Sequence, residues 1–302
     1  MSKKKIGINC EALCIRYGEL KALEICAASG FDAVDFGLEH FSVCENGIYN
    51  ASDEEIFGFF NLIKKRADEL GLLISQTHGR SGTYRPYDEL YNRVVLENTK
   101  RDLIATAALG SPACVIHSIT TSNWRDASPE LMREKNLRMY ADFIPFAEKN
   151  GVSIALETFG DSKPGGKRCL DFFGDVRELK MQYSAMNTKN KAICVDVGHT
   201  HKAHNVEPSV LGVAEAIRYL GSDIKLLHLN DNNGFSDQHL PPLFSGDSSY
   251  QIDWKEAFKA LDDINYSGVY SFELNLRKFG NALDDATCFL GSYLRRFVDG
   301  TL

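Results

Sequence analysis

The sequence predicts an α/β fold, a (β/α)8 or TIM barrel, on three observations. Short, β-branched apolar runs alternate with longer amphipathic stretches along the whole 302-residue chain. Several runs, such as Ala113-Cys114-Val115-Ile116 and Ile224-Lys225-Leu226-Leu227, are apolar almost throughout, as strands covered on both faces of a parallel sheet must be. The segment after the first run, Glu11-Ala12-Leu13-Cys14-Ile15-Arg16-Tyr17, reads as a loop without the glycines that an open, doubly wound sheet would place there to cradle a phosphate. Length and alternation together fit one closed barrel, and nothing marks a second domain, so residues 1–302 are expected to form a single unit.

Taken in order, the strands are expected at 5–11, 32–37, 72–78, 113–119, 152–158, 192–197, 224–230 and 268–274. Helical patterns fill the intervals at 18–29, 53–70, 87–109, 129–149, 170–183, 208–220, 254–264 and 281–298. The fourth helix is the clearest, with Leu131, Leu137, Tyr140, Ile144 and Ala147 on one face. Ser128-Pro129 supplies an N-cap with proline in the first turn, and Asn150-Gly151 a stop. Gly30, Gly71 and Gly110 follow helical patterns in the same way. The stretch from Asp161 to Lys167 reads as a loop after the fifth strand rather than as a domain linker.

Composition excludes several classes. At 44% hydrophobic and 25% charged residues the chain is globular, and no apolar run approaches the roughly 20 residues that span a bilayer. Its basic start passes at once into an alternating strand pattern rather than a signal peptide, so a cytoplasmic protein with no membrane partner is expected. The eight cysteines are irregularly spaced without a C-x-x-C pair; Cys26, Cys114 and Cys194 lie inside apolar patterns and are expected as buried free thiols, as are Cys10 and Cys14. A net charge of −7 opposes generic attraction to nucleic acid. A homo-oligomer stays open.

Function is carried by where the polar residues fall. The third to eighth strands close on His78, His117, Glu157, Asp196, His228 and Glu273 in turn. His199 follows Asp196 by three residues, and the triplet Asp237-Gln238-His239 lies in the loop after the seventh strand. In a barrel these strand ends converge on one rim, the C-terminal face where such folds do their chemistry. A lone strand-end histidine is usually just a hydrogen-bonding residue, and a buried glutamate usually pairs with arginine or a backbone donor. Six consecutive coincidences point instead to a bound cation, which resolves the charge of crowded carboxylates. His201 and His204 are expected in a solvated polar loop, and His40 away from the site.

The pattern resembles the xylose-isomerase-like TIM barrels: sugar isomerases and epimerases with their zinc-dependent apurinic-site endonuclease relatives. The resemblance covers nearly the whole chain and is sharpest at Ala155-Leu156-Glu157, Val195-Asp196-Val197-Gly198-His199, His228-Leu229-Asn230-Asp231 and Asp237-Gln238-His239. It implies one divalent ion held by Glu157, Asp196, His228 and Glu273, with zinc or manganese favoured and magnesium or cobalt as alternatives. It also implies that Glu157 and Glu273 act as an acid/base pair beside a substrate carbonyl. His78, His117, His199, Asp237 and His239 match the further ligands of the endonucleases, whose cluster holds three zinc ions.

Three readings follow from that resemblance: an isomerase or epimerase acting on a sugar or sugar phosphate, an abasic-site endonuclease, and a sugar or inositol dehydratase. A binding protein on a retired scaffold would be missing a ligand, and none is missing. The acidic balance favours the sugar side. So do the polar, non-basic Asp231-Asn232-Asn233-Gly234 and the Pro/Gly loop Leu240–Asp247, which resembles that of the epimerases. Arg80, Arg85 and Arg125 are placed to meet a phosphate; His199 and Arg80 are expected to orient substrate, and Trp124 or Phe159 to pack on a sugar's apolar face.

Overall fold

The structure, a computed structural model, describes residues 3–120, 128–162, 168–246 and 251–302. Eight parallel strands form the predicted barrel: β1 (Ile6–Asn9), β2 (Ala33–Gly37), β3 (Leu73–His78), β4 (Ala113–Val115), β5 (Ser153–Glu157), β8 (Lys191–Asp196), β9 (Ile224–His228) and β10 (Tyr270–Phe272). They are ordered β10-β1-β2-β3-β4-β5-β8-β9. Closure between β9 and β10 rests on a bridge at Leu229 and Phe272, where the Leu229 N–H donates to Ser271 O at 2.8 Å. The long helices α3 (Asp53–Glu69), α4 (Glu89–Ala108), α5 (Pro129–Asn150) and α10 (Leu283–Val298) belong to the ring outside.

Strand periodicity sets what the barrel holds and where. Alternate residues point to opposite faces, and the two sets form different clusters. Ile154, Leu156, Ile193, Val195 and Leu227 join the large apolar layer between sheet and helices. Ala113, Val115, Ala155, Ala192, Cys194 and Leu226 form a smaller cluster of their own, which fills the barrel interior. Two residues further along the same faces come His117, Glu157, Asp196 and His228, so the inward pleat delivers polar groups to the mouth directly above an apolar floor. A register slip of one residue would turn every one of them outward.

Local chemistry fixes the helix ends. Ser52 and Glu55 make a capping box on α3, Ser128 accepts from Leu131 N at the start of α5, and Gly151 ends α5 at φ 67°, a left-handed conformation that costs glycine little. All eight cysteines are free, with the Cys10 and Cys14 sulfurs buried 3.8 Å apart. Among the described residues no helix is long and apolar enough to cross a membrane.

The structure departs from the sequence reading in five places. Residues 11–17 form helix α1 (Glu11–Tyr17) rather than a loop. The segment 197–206 is helix α7 (Val197–Val206), so His201 and His204 are helical; the His204 ring bonds Val210 O at 2.9 Å. That helix starts because the Asp196 carboxylate caps it, accepting from His199 N at 2.6 Å, a capping role hidden behind its strand-end position. After β5, β6 (Asp161–Ser162) and β7 (Cys169–Leu170) pair as a short antiparallel hairpin, a 3-10 turn follows at Phe172–Gly174, and the next α-helix begins only at Val176. β4 is three residues long, so His117 stands two positions past its strand.

Arg80 is the fifth departure and concerns function. The residue is 7% exposed, and each of its three guanidinium nitrogens has a partner. Nε lies 3.0 Å from Asp102 Oδ2, Nη1 meets Glu39 O at 2.8 Å, and Nη2 meets Leu38 O at 3.0 Å and Phe41 O. It straps the loop after β2 to α4 rather than orienting substrate. Replacing Arg80 with methionine leaves Asp102 buried without a cation, with the Tyr49 hydroxyl its remaining partner at 2.6 Å, which should cost about 3 kcal/mol in denaturant unfolding. Metal retention by the fraction that folds should be unchanged.

Candidate metal centre

Four side chains from four strands meet at the mouth. Glu157 from β5, Asp196 from β8, His228 from β9 and Glu273 just past β10 each offer one ligand atom, all within 4.8 Å of one another. His228 Nδ1 lies 2.8 Å from Glu157 Oε1 and 3.4 Å from Glu273 Oε2. Glu157, Asp196 and His228 are essentially inaccessible, whereas the Glu273 side chain is 18% exposed. The group is thus closed below and open on the Glu273 side.

The donor set fits a divalent ion. Glu157, Asp196 and Glu273 form no ion pair with lysine or arginine among the described residues; their close charged neighbours are histidines. Buried carboxylates in that condition repel one another unless a cation is shared. Glu157 Oε2 and His117 Nε2 face each other at 3.0 Å, yet each is a buried polar atom without a hydrogen bond in this structure. Three carboxylates with an imidazole are a mixed N/O set suited to zinc or manganese.

The neighbouring groups hold these ligands in place. Asn230 Nδ2 donates to Asp196 Oδ2 at 2.7 Å, and the Asp196 N–H donates to Thr158 Oγ1 at 2.9 Å. Gly198 is required for this: a Cβ there would fall 1.9 Å from Asn230 Oδ1. On the far side of His228, Nε2 stands 3.2 Å from Asp35 Oδ2, and Asp35 is wholly buried on β2. A ligating Nδ1 requires the proton on Nε2, and a carboxylate behind it favours that tautomer. Sequence reading missed Asp35 because a single acid inside the apolar run Ala33-Val34-Asp35-Phe36 looks like a strand-edge residue.

The additional predicted groups surround the four. His78 Nε2 is 3.5 Å from Glu273 Oε1, and with His117 and Glu157 it forms a second ligand-distance group. His199 Nε2 and His239 Nε2 lie 3.3 and 3.6 Å from Asp237 Oδ2. Phe159 stacks on His199 with ring centres 5.7 Å apart and also meets His117 at 5.0 Å, forming an apolar wall. Arg85 lies elsewhere, stacked on Tyr91 in the cavity beside α4. Trp124 and Arg125 lie outside the described residues. Beside the four-ligand group opens a cavity of about 340 Å³, reached past His78, His239 and Glu273 and walled by Asn9, Glu11 and Arg277.

Electrostatics follow from this crowding. Burial opposes charge on Glu157, but His228 and His117 outweigh it and hold its carboxyl well below the usual range. Glu273 is lowered in the same manner by His228, His239 and His78. Burial pushes Asp196 up despite His199 and His239. Burial pulls the His239 imidazole down, but Asp237, Glu273 and Asp196 prevail and raise it to about 9.

The chain belongs to the xylose isomerase-like TIM barrels, whose family model matches residues 23–287. A curated relative is "Uncharacterized protein MJ1311" of Methanocaldococcus jannaschii, 29% identical over 176 residues; the match spans 57% of this chain and 54% of that protein. Among solved structures, the 3-keto-D-glucoside 4-epimerase YcjR from E. coli is similar, with TM-score 0.70 and 16% identity over 97% of this chain and 99% of that one. The IOLI protein with a binding zinc atom gives 0.70 and 17%, covering 97% of each chain. A D-psicose 3-epimerase in the presence of D-fructose gives 0.66 and 18%, covering 98% and 99%.

Two outcomes test the centre. An Asp35→Ala variant should bind zinc about 10–100-fold more weakly in chelator competition while remaining folded; unchanged affinity would remove Asp35 from the support of His228. Without an ion, burial pulls the His228 imidazole down, but Cys194, Glu273, Glu157 and Asp35 prevail and hold it well above its usual range, and a ligating imidazole must shed its proton. Zinc uptake should therefore release protons, and its affinity should rise as pH goes from 6 to 9.

Proposed function

We propose that this chain is a divalent-metal-dependent sugar isomerase or epimerase that works by proton transfer beside a carbonyl. The carrying observation is that two carboxylates, Glu157 and Glu273, stand in one ligand-distance group with Asp196 and His228, and that Glu273 borders an open cavity. The likeness of the fold to sugar epimerases supports the same reading. When bound, the ion polarises the substrate's oxygens and stabilises the negative charge that builds as the neighbouring carbon loses its proton.

The protein's own groups do the rest. Glu157 and Glu273 are both held ionised, so either can accept a proton at neutral pH. Removal by one carboxylate and return by the other inverts a carbon; return to the adjacent carbon isomerises. His199 and Phe159 are placed to orient hydroxyls and to pack on the ring's apolar face. With Arg80 committed to Asp102, the arginine on the described cavity wall is Arg277, held by Glu11 at 3.0 Å, and Glu39 faces the same space. That wall suits an uncharged sugar better than a phosphate ester.

A second reading keeps one specific observation: His78, His117, His199, Asp237 and His239 all crowd the same mouth, as an abasic-site endonuclease would need. The net charge of −7 opposes it, because duplex binding draws most of its affinity from neutralising phosphates. Loss of hydroxide instead of proton return would make the enzyme a dehydratase on the same groups.

In heavy water a turned-over ketose should gain label at a carbon beside its carbonyl. Glu157→Gln and Glu273→Gln, with metal content measured alongside, should each lower exchange by about a hundredfold or more. Full activity in a fully loaded Glu273→Gln variant contradicts the pairing. Robust incision of an abasic duplex at moderate salt, lost in Glu157→Gln, moves the assignment to the second reading.

A further inference from the structure

The ionisable groups at the mouth divide into two sets by charge. In the inner set, Glu157, Asp196 and Glu273 have no lysine or arginine partner among the described residues, and Asp35 adds a further carboxylate behind His228. The outer set is different. Lys202, one turn after His199 on α7, has a side chain only 7% exposed; its ammonium lies 3.3 Å from Asp161 Oδ1 and 3.4 Å from Asp237 Oδ1. Asp161 Oδ2 in turn faces Arg168 Nε at 2.7 Å. Two cations and two carboxylates therefore balance without any ion.

We propose that Lys202 is the resident cation of the outer trio His199–Asp237–His239, so that the protein takes a metal ion at the inner group and none at the trio. The proposal rests on the metal-binding reading of the inner group, but Lys202 itself is an independent feature. Asp237 with the two imidazoles would otherwise make a three-ligand zinc set, and Asp196 of the inner group also lies within ligand distance of both imidazoles. Here the carboxylate already shares its charge with an ammonium that is too buried to swing into water. A divalent ion on Asp237 Oδ2 would sit a few ångströms from that buried ammonium, where like charges repel, with some screening by solvent because the Asp237 side chain is 46% exposed. The inner group experiences the reverse, since an ion there relieves mutual repulsion of three carboxylates. Lys202 thereby determines whether the trio adds an ion to those held deeper in the mouth; it has no contact with the separate His78–His117–Glu157 group.

The test compares zinc per chain, by elemental analysis after saturation and gel filtration at neutral pH, in paired proteins. Wild type and His239→Ala should hold the same amount. Lys202→Met should hold one ion more, and Lys202→Met/His239→Ala should lose it again; Lys202→Gln, which keeps a polar amide at the site, serves as the second charge-removing variant. A wild-type count that drops by one in His239→Ala overturns the proposal, as does a folded Lys202→Met or Lys202→Gln with no gain. Because the readout is a difference, a wild type devoid of zinc whose lysine variants gain one ion would uphold Lys202 while overturning the inner site.

Discussion

Three carboxylates within ligand distance of one another, two of them buried and none paired with lysine or arginine among the described residues, are the constraint around which this molecule is built. Glu157, Asp196 and Glu273 come from three different strands, so nothing in local sequence brings them together; the barrel does. An arrangement of this kind is costly in the absence of a cation and stable in its presence. The supporting contacts make sense only in that light. Asn230 and Thr158 fix Asp196 on two sides, and Asp35 stands behind the one imidazole of the group. Gly198 clears the space that lets Asn230 approach.

The apolar layer beneath the group is part of the same design. Ala155, Ala192, Cys194 and Leu226 occupy the inward positions two residues before, or level with, the polar tier. They exclude water from below, which strengthens every electrostatic interaction above them. Glu273 is the exception at the rim, since it alone of the four is partly open and lines the cavity. That asymmetry gives an ion a sealed base and an accessible face, the arrangement expected of a reactive rather than a purely structural site.

Much of this was legible in the sequence. The alternation of strands and helices announced the barrel, and strand-end positions located the four groups that meet at the mouth, because a period of two carries a buried face straight there. What escaped detection has physical reasons. Helix α7 lacks an apolar stripe, and its cap is a residue already read as a strand end. Lys202, between the His201 and His204 that read as a polar loop, drew no notice, although the helix buries it beside Asp161 and Asp237. Asp35 was hidden in an apolar run. Arg80 was placed correctly after the third strand, but which way a guanidinium turns depends on Asp102, 22 positions further along, and on carbonyls of another loop. Pairings across the fold are not written in local pattern.

The central claim is that one divalent ion sits among Glu157, Asp196, His228 and Glu273. Anomalous diffraction from crystals of the zinc-loaded protein tests it most directly. The account predicts a peak in contact with those four side chains, with His228 ligating through Nδ1 and its Nε2 turned to Asp35. A peak among His199, Asp237 and His239 with the inner group empty would contradict it.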